Sequence, residues 1–265
     1  MDHQSLYQLH EWLVMVPARL ESQRLPRKPL ADIGGLPMIV RVMMNLHPLA
    51  QRGARIVCAT DSAEVLEVVQ KAGFEAVMTR QSHPSGTDRC AEVAGLIPRP
   101  LVLNVQGDEP FVDAEDLIRL CFQFDQDKTA PMGTLVYRSQ SYEDFLNPNI
   151  VKVVPSFQGY ALYFSRSPIP YHRDGGSQRG FQGFFLQHLG VYVYRRQSLL
   201  DYGSLPTADK GLLGSCEPLE DVEKLEQLRA LQNGWKILLS EARHKTRGID
   251  TPEDLDHARK ILEHR

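Results

Sequence analysis

The segment Trp12-Leu13-Val14-Met15-Val16-Pro17-Ala18-Arg19 opens with five apolar residues and then meets a proline and an arginine. So short an apolar run, stopped by Pro17, reads as a strand buried on both faces. Working along the chain from it, the same unit recurs. Gly34-Gly35 precedes Pro37, which suits the first turn of a helix, and Met38, Val42 and Leu46 follow at helical spacing to about Pro48. Residues 55–59 read as a second buried strand. Asp61 or Ser62 can cap the next helix, and Gly73 ends it. Residues 75–78 are a third strand, Thr87 or Asp88 starts another helix, and residues 101–105 are a fourth strand. This alternation predicts an α/β fold, with a mixed, mostly parallel central sheet and helices on both faces.

After about Thr129 the rhythm changes. Residues 134–137, 151–154 and 159–163 are strand-like but closely spaced, which predicts a smaller antiparallel part. Residues 172–183 are glycine-rich and polar and read as a mobile loop, and residues 189–194 read as another strand. Residues 217–231 place Leu219, Val222, Leu225 and Leu228 on one face, which predicts a single amphipathic helix. Asp250-Thr251-Pro252-Glu253-Asp254 is a helix start, with a capping residue, a first-turn proline and early acids. The organisation expected is an α/β region over residues 12–130, a second region over 131–265 completing the same body, and a short extension over 1–11.

Composition narrows the class. Hydrophobic residues make up 42% and charged residues 24% of the 265, which is ordinary for a folded domain and excludes a disordered chain. Thirty basic side chains against 33 acidic ones give a net charge of -3. That excludes a globally basic nucleic-acid coat and leaves room for a local basic pocket. The four cysteines (Cys58, Cys90, Cys121, Cys216) are far apart and match no zinc spacing, so they read as reduced structural thiols. No apolar run approaches the roughly 20 residues of a membrane span. Residues 1–11 are polar and lack the cationic start of a secretory signal, so the expectation is a cytoplasmic protein.

Five segments could carry chemistry. Arg19, Arg24, Arg27 and Lys28 fall within ten residues after the first strand. Ligands of open α/β sheets sit at the carboxyl ends of strands, and arginine forks with a mobile lysine suit phosphate oxygens, so phosphate binding outweighs a merely solvated loop. The loop matches neither the P-loop nor the dinucleotide fingerprint. Asn104-Val105-Gln106-Gly107-Asp108-Glu109-Pro110 ends the fourth strand. There glycine permits close approach and Asp108 offers a hard oxygen, although a plain Gly-Asp turn is the bland alternative. Asp250 could be a helix cap and nothing more. The two acids together with the basic loop shift the balance toward a cation held beside phosphates. Ser85-Gly86-Thr87-Asp88-Arg89 enters a helix, where backbone amides could read a base edge or an anion, or could simply be capped. Arg166 after one strand, and His188 at the start of another, are candidate substrate contacts against the alternatives of an ion pair and a structural histidine.

Taken in order, several motifs resemble the 3-deoxy-manno-octulosonate (KDO) cytidylyltransferase family. They are Pro17-Ala18-Arg19 through Arg24-Leu25-Pro26-Arg27-Lys28-Pro29-Leu30, Ser85 to Arg89, Asn104 to Pro110, Tyr160 to Arg166, Leu225-Glu226-Gln227-Leu228-Arg229 and Asp250 to Asp254. The resemblance spans about Leu13 to Leu262. It implies a Rossmann-like nucleotide-diphospho-sugar transferase fold and a reaction of CTP with an eight-carbon 2-keto sugar acid. CMP-sugar and pyrophosphate would be released for lipopolysaccharide assembly. By that resemblance Arg19, Arg24 and Lys28 bind the triphosphate, while Ala18 and the Ser85-Gly86 backbone face the cytidine. Asp108 and Asp250 hold Mg²⁺, and Gln106, Arg166, His188, Glu226 and Gln227 contact the sugar acid. Two positions depart from the family. Arg27 stands where a glycine is usual. Asp221 stands where a histidine is found, in a Leu-Glu-Asp sequence shared with a subgroup that uses the 8-amino sugar.

The implied chemistry is direct. The anomeric hydroxyl attacks the α-phosphorus in line, which requires positioning and charge neutralisation rather than a covalent nucleophile. Competing readings are a cytidylyltransferase for another acidic sugar such as a sialic-acid-like one, a glycosyltransferase on the same fold, and a nucleotide-sensing module. A homodimer is expected, both from the resemblance and from the dense aromatics of residues 181–194.

Overall fold

In a computed structural model of the protein, residues 6–22, 24–171, 173, 183–207, 217–246 and 248–263 are described. The strands are β1 (Trp12–Ala18), β2 (Arg55–Thr60), β3 (Glu75–Met78), β4 (Leu101–Asn104), β5 (Met132–Ser139), β6 (Lys152–Pro155), β7 (Ala161–Ser165), β8 (Phe185–Arg195) and β9 (Ile237–Ala242). The helices are α1 (Met38–Asn45), α2 (His47–Gln51), α3 (Ala63–Lys71), α4 (Gly86–Leu96), α5 (Ala114–Gln126), α6 (Tyr142–Leu146), α7 (Arg196–Tyr202), α8 (Leu219–Glu223), α9 (Gln227–Gln232) and α10 (Pro252–Glu263).

These strands form one sheet in the order β3-β2-β1-β4-β8-β5-β9, with β6 added on β8 and β7 on β6. β1 pairs in parallel with β2 and β4, and β2 with β3. All seven residues of β1 are buried, as a central strand covered on both faces requires. Side chains alternate across a strand, so Trp12, Val14 and Val16 join one core with α1, α3 and α5. Leu13 and Met15 join a second core with α4, α7 and α9. A third, smaller cluster of Leu25, Ile33, Met38, Ile249, Leu255 and Ala258 binds the basic loop to the start of α10.

The antiparallel part lies where the spacing placed it. β6 pairs antiparallel with β7 and β8, and β8 runs antiparallel to both β4 and β5. Four expectations need correcting. β8 has 11 residues, so His188 lies within the strand and not at its start. The expected helix over 217–231 is two helices, because Lys224 adopts φ 53° and turns the chain. A leucine pattern repeating every three residues drifts on a 3.6-residue helix, and Val222 is left exposed. β9, paired in parallel with β5, was not anticipated. Finally, six members of the aromatic-rich stretch, Phe185, Leu186, Leu189, Val191, Tyr192 and Tyr194, are buried in the chain's own core. Only Phe184 of that set is exposed among the described residues, and Phe181 lies outside them, as does most of the loop expected over 172–183. Cys58, Cys90 and Cys121 are buried free thiols, and Cys216 is outside the described residues. No helix among the described residues is long and apolar enough to cross a membrane.

Candidate active site

The carboxyl ends of β1 and β4 open into a cleft of about 230 Å³ that includes Ala18, Arg19, Lys28, Gly86, Gln106 and Asp108 in its lining. A larger cleft of about 890 Å³ adjoins it, shares Arg19, Glu21 and Ser22, and reaches Arg27, Asp61 and Gln81. A third cavity, of about 580 Å³, lies under α10 and has no residue in common with either.

Local structure explains which side chains are free to act. Ser85 caps α4 in a reciprocal box with Asp88, so its hydroxyl is occupied, and of the pair it is Gly86 that lines the cleft. At α10 the cap is Thr251, whose hydroxyl accepts from Asp254 N at 3.2 Å while the Asp254 carboxylate takes the amides of Asp250 and Thr251. The Asp250 carboxylate is therefore not consumed by capping. Lys28 Nζ donates to Asp108 and, at 2.8 Å, to Asp250, and Arg24 lies 3.1 Å from Asp250. Burial works against the Lys28 charge, but the Asp108 and Asp250 carboxylates outweigh it and raise its pKa above the usual lysine value. Gly107 admits this close assembly, since a Cβ there would sit 2.7 Å from the Pro17 carbonyl. Next to Asp108, the Glu109 carboxyl is pushed up to about 8 by burial, with the Asp108 charge adding to the effect.

Gln106 joins this cleft to a second polar cluster. Its amide donates to Asn104 Oδ1 at 3.3 Å, and Asn104 lies opposite Tyr192 in the β4–β8 register. The Tyr192 hydroxyl donates to Gln227 Oε1 at 3.1 Å, and Thr87 donates to Glu226. Burial raises the Glu226 pKa. His188 packs between the rings of Phe164 and Tyr192, and the loss of hydration holds its pKa down to about 3. A bulge in the β5–β8 ladder brings the Thr134 hydroxyl within 2.6 Å of the Val191 carbonyl. With its one hydrogen so placed, Thr134 accepts from His188 Nε2 at 3.1 Å, which leaves Nδ1 as the ring's acceptor. Asn104 Nδ2, Glu226 Oε1, Gln227 Nε2 and Arg19 Nη2 are buried with no partner among the described residues.

Of the residues singled out in the sequence, Ala18, Arg19, Lys28, Gly86, Gln106 and Asp108 line one cleft, with Arg24 and Asp250 at its edge. His188, Glu226 and Gln227 form the second cluster. Arg166 is engaged elsewhere: its guanidinium donates to the carbonyls of Glu223 at 2.7 Å, Pro148 at 3.0 Å and Lys224 at 3.3 Å, at the α8–α9 corner. Asn104, Thr134 and Tyr192 went unnoticed as site residues. Asn104 stood in a quoted motif and Tyr192 in the segment that follows His188, but Thr134 carried only a strand signal. A separate group, Asp113, Asp116 and His244, has ligand atoms close together. Its carboxylates already cap α5 and take the amides of Arg243 and His244.

The Cytidylyltransferase family profile matches residues 13–237. The 3-deoxy-manno-octulosonate cytidylyltransferase of Wolinella succinogenes is 43% identical over 256 residues, covering 94% of this chain and 99% of that protein. That of Neisseria meningitidis serogroup A is 41% identical, covering 96% and 98%. A solved structure of CMP:2-keto-3-deoxy-manno-octonic acid synthetase complexed with CTP superposes with a TM-score of 0.85 at 38% identity, covering 96% of this chain and 98% of the other. The inositol-1-phosphate CTP transferase from T. maritima, at 16% identity and a TM-score of 0.63, shares the fold. With a family match over most of its length and relatives above 40% identity end to end, the chain belongs to the 3-deoxy-manno-octulosonate cytidylyltransferase family.

Proposed function

We propose that the protein transfers the cytidylyl group of CTP to 3-deoxy-D-manno-octulosonate, giving CMP-KDO and pyrophosphate for lipopolysaccharide assembly in the cytoplasm. The observation that carries this reading is the junction of two unlike surfaces at the ends of β1 and β4. A cationic loop with two aspartates not used in capping meets a buried cluster in which Asn104 Nδ2, Gln227 Nε2 and Glu226 Oε1 have no partner among the described residues. Buried polar groups without partners are uncommon, and a hydroxylated sugar acid supplies both donors and acceptors.

Arg19, Arg24 and Lys28 neutralise the triphosphate, and the Gly86 backbone and Ala18 bear on the cytidine. Asp108 and Asp250 fit Mg²⁺: their oxygens are hard, and they already converge on one cationic group. When bound, Mg²⁺ would lower the charge on the phosphates and the pKa of the attacking hydroxyl. Gln106, Glu226 and Gln227 orient the sugar, and His188 meets it as a neutral ring. Arg166 is the proposed partner of the sugar carboxylate, and to meet it the guanidinium would have to leave carbonyls that it now binds. Held this way, the anomeric hydroxyl attacks the α-phosphorus and pyrophosphate leaves. The functional unit is proposed to be a homodimer.

Pyrophosphate release from CTP and Mg²⁺ with a panel of sugar acids tests the reading. KDO should give the highest kcat/KM. A higher value with the 8-amino analogue would transfer the assignment to that sugar, and activity with neither would reject it.

A further inference from the structure

Lys28 occupies a position that a phosphate-binding lysine does not need. Its ammonium bridges the two acids, donating to Asp108 and to Asp250 at 2.8 Å. The side chain is only 13% exposed, so this is not a loose surface pair. Arg24 reaches Asp250 alone, at 3.1 Å, and is largely exposed, so it does not bridge. Glu109, beside Asp108, adds a third carboxyl whose Oε2 has no partner among the described residues. The acids thus already hold one cation, tethered to the basic loop, and the Leu25–Ile33–Ile249–Leu255 cluster fixes that loop against α10.

Resting on the cytidylyl-transfer reading, we propose that Lys28 is a placeholder cation that keeps a divalent ion from the Asp108–Asp250 pair until a nucleotide triphosphate draws the ammonium away. The physical reason is the cost of an unpaired buried charge. A divalent ion entering alone must expel the ammonium from both carboxylates and leave it poorly solvated in the cleft. It must also shed part of its own hydration for only two protein carboxylates. A triphosphate removes the first obstacle, because its oxygens accept the ammonium as the acids release it. Lysine suits the exchange, being a compact point charge on a flexible stem that can swing between two anionic partners. Ion and nucleotide therefore enter together, and the acids are never left without a counter-charge.

Mn²⁺ titration monitored by electron paramagnetic resonance, with no nucleotide present, tests this without reference to turnover. The wild-type protein should hold Mn²⁺ weakly. Lys28→Gln should bind one Mn²⁺ at least tenfold more tightly, and Lys28→Gln/Asp250→Asn should lose that gain. Mn²⁺ should also raise the melting temperature of Lys28→Gln more than that of wild type. Lys28→Met, which keeps the length and apolar stem, serves if the glutamine variant folds poorly. Equal Mn²⁺ affinity in wild type and both Lys28 variants would overturn the proposal, as would a gain that survives loss of Asp250. Failure of the enzymatic reading is seen separately, as no pyrophosphate release with any sugar acid.

Discussion

Two neighbouring acids at the start of α10 have unlike duties. Asp254 closes the capping box with Thr251, while Asp250 is turned to Lys28 and Arg24. Asp250→Asn should therefore abolish turnover with little change in melting. Asp254→Asn should cost about 1 kcal/mol of stability and retain most activity. Thermal melts beside pyrophosphate release distinguish the two, and the reverse pattern would exchange the roles. Arg27 answers the departure noted in the sequence. It adopts φ 56°, the left-handed conformation that glycine reaches freely, so the loop keeps a glycine-like path with an arginine in it. The guanidinium meets Glu64 on an exposed surface, where ion pairs are worth little. Arg27→Gly should relieve about 1 kcal/mol of strain, partly offset by a freer unfolded chain, and melt no lower than wild type. A clear fall in melting temperature would show that the Glu64 pair matters more than the strain. His188 sets a pH response. Its folded pKa of about 3 lies below the ordinary 6.5, so between those values the unfolded chain binds the extra proton. Stability is thus lost as pH falls through that window. His188→Gln should flatten this loss by about 3 kcal/mol, measured as the difference between urea unfolding at pH 6.5 and at pH 4. An unchanged slope would mean that the ring titrates normally.

At the level of elements, β1 to β4 were legible because each is a short apolar run closed by a turn or cap residue. Ser62 caps α3 as expected, and α4 begins at Gly86, one residue before the Thr87 start, with Ser85 as its cap. The second half was harder to read for physical reasons. Ile237-Leu238-Leu239-Ser240-Glu241-Ala242 follows the Asn233-Gly234 turn, where Gly234 has φ 77°, but its apolar residues do not alternate, and β5 supplies the edge on which it pairs. The turn at Lys224 depends on packing, with Leu225 and Leu228 buried on one side and Val222 exposed on the other. The site showed the same division. Phosphate-loop and acid residues sit in motifs, whereas Tyr192 and Thr134 join the site through register and a bulge that no local pattern encodes. Gly107 links element to site, because its approach to the Pro17 carbonyl sets the spacing of the β1 and β4 ends. Gly107→Ala should force these ends apart, costing about 2 kcal/mol and nearly all turnover. Unchanged melting and activity would refute the tight approach.

For the molecule as a whole, the expected pairing of two chains now rests on a different surface. Most of the aromatic stretch in β8 is used within the chain, but Leu146, Leu162, Tyr171 and Phe184 remain 46–83% exposed in or near the antiparallel part. Phe184 is covered on one face by Arg138, 3.8 Å from its ring. Exposed large apolar side chains favour association where they form a contiguous patch. Light scattering at micromolar protein should give twice the chain mass. Leu162→Glu with Phe184→Asp should shift it to the single-chain mass without loss of helical signal. A single-chain mass for the wild type at all concentrations would refute the dimer.

The position of β8 has a consequence for how the chain is made. β4 ends at residue 104, yet its outer neighbour arrives only with residues 185–195. During synthesis the ribosome therefore releases some 80 residues while one flank of the growing sheet has its amides and carbonyls unanswered. Such an edge invites pairing with another nascent chain. The nucleotide-facing half is complete only once a strand from the other half has closed it, so a fragment cut near residue 130 would be prone to aggregate.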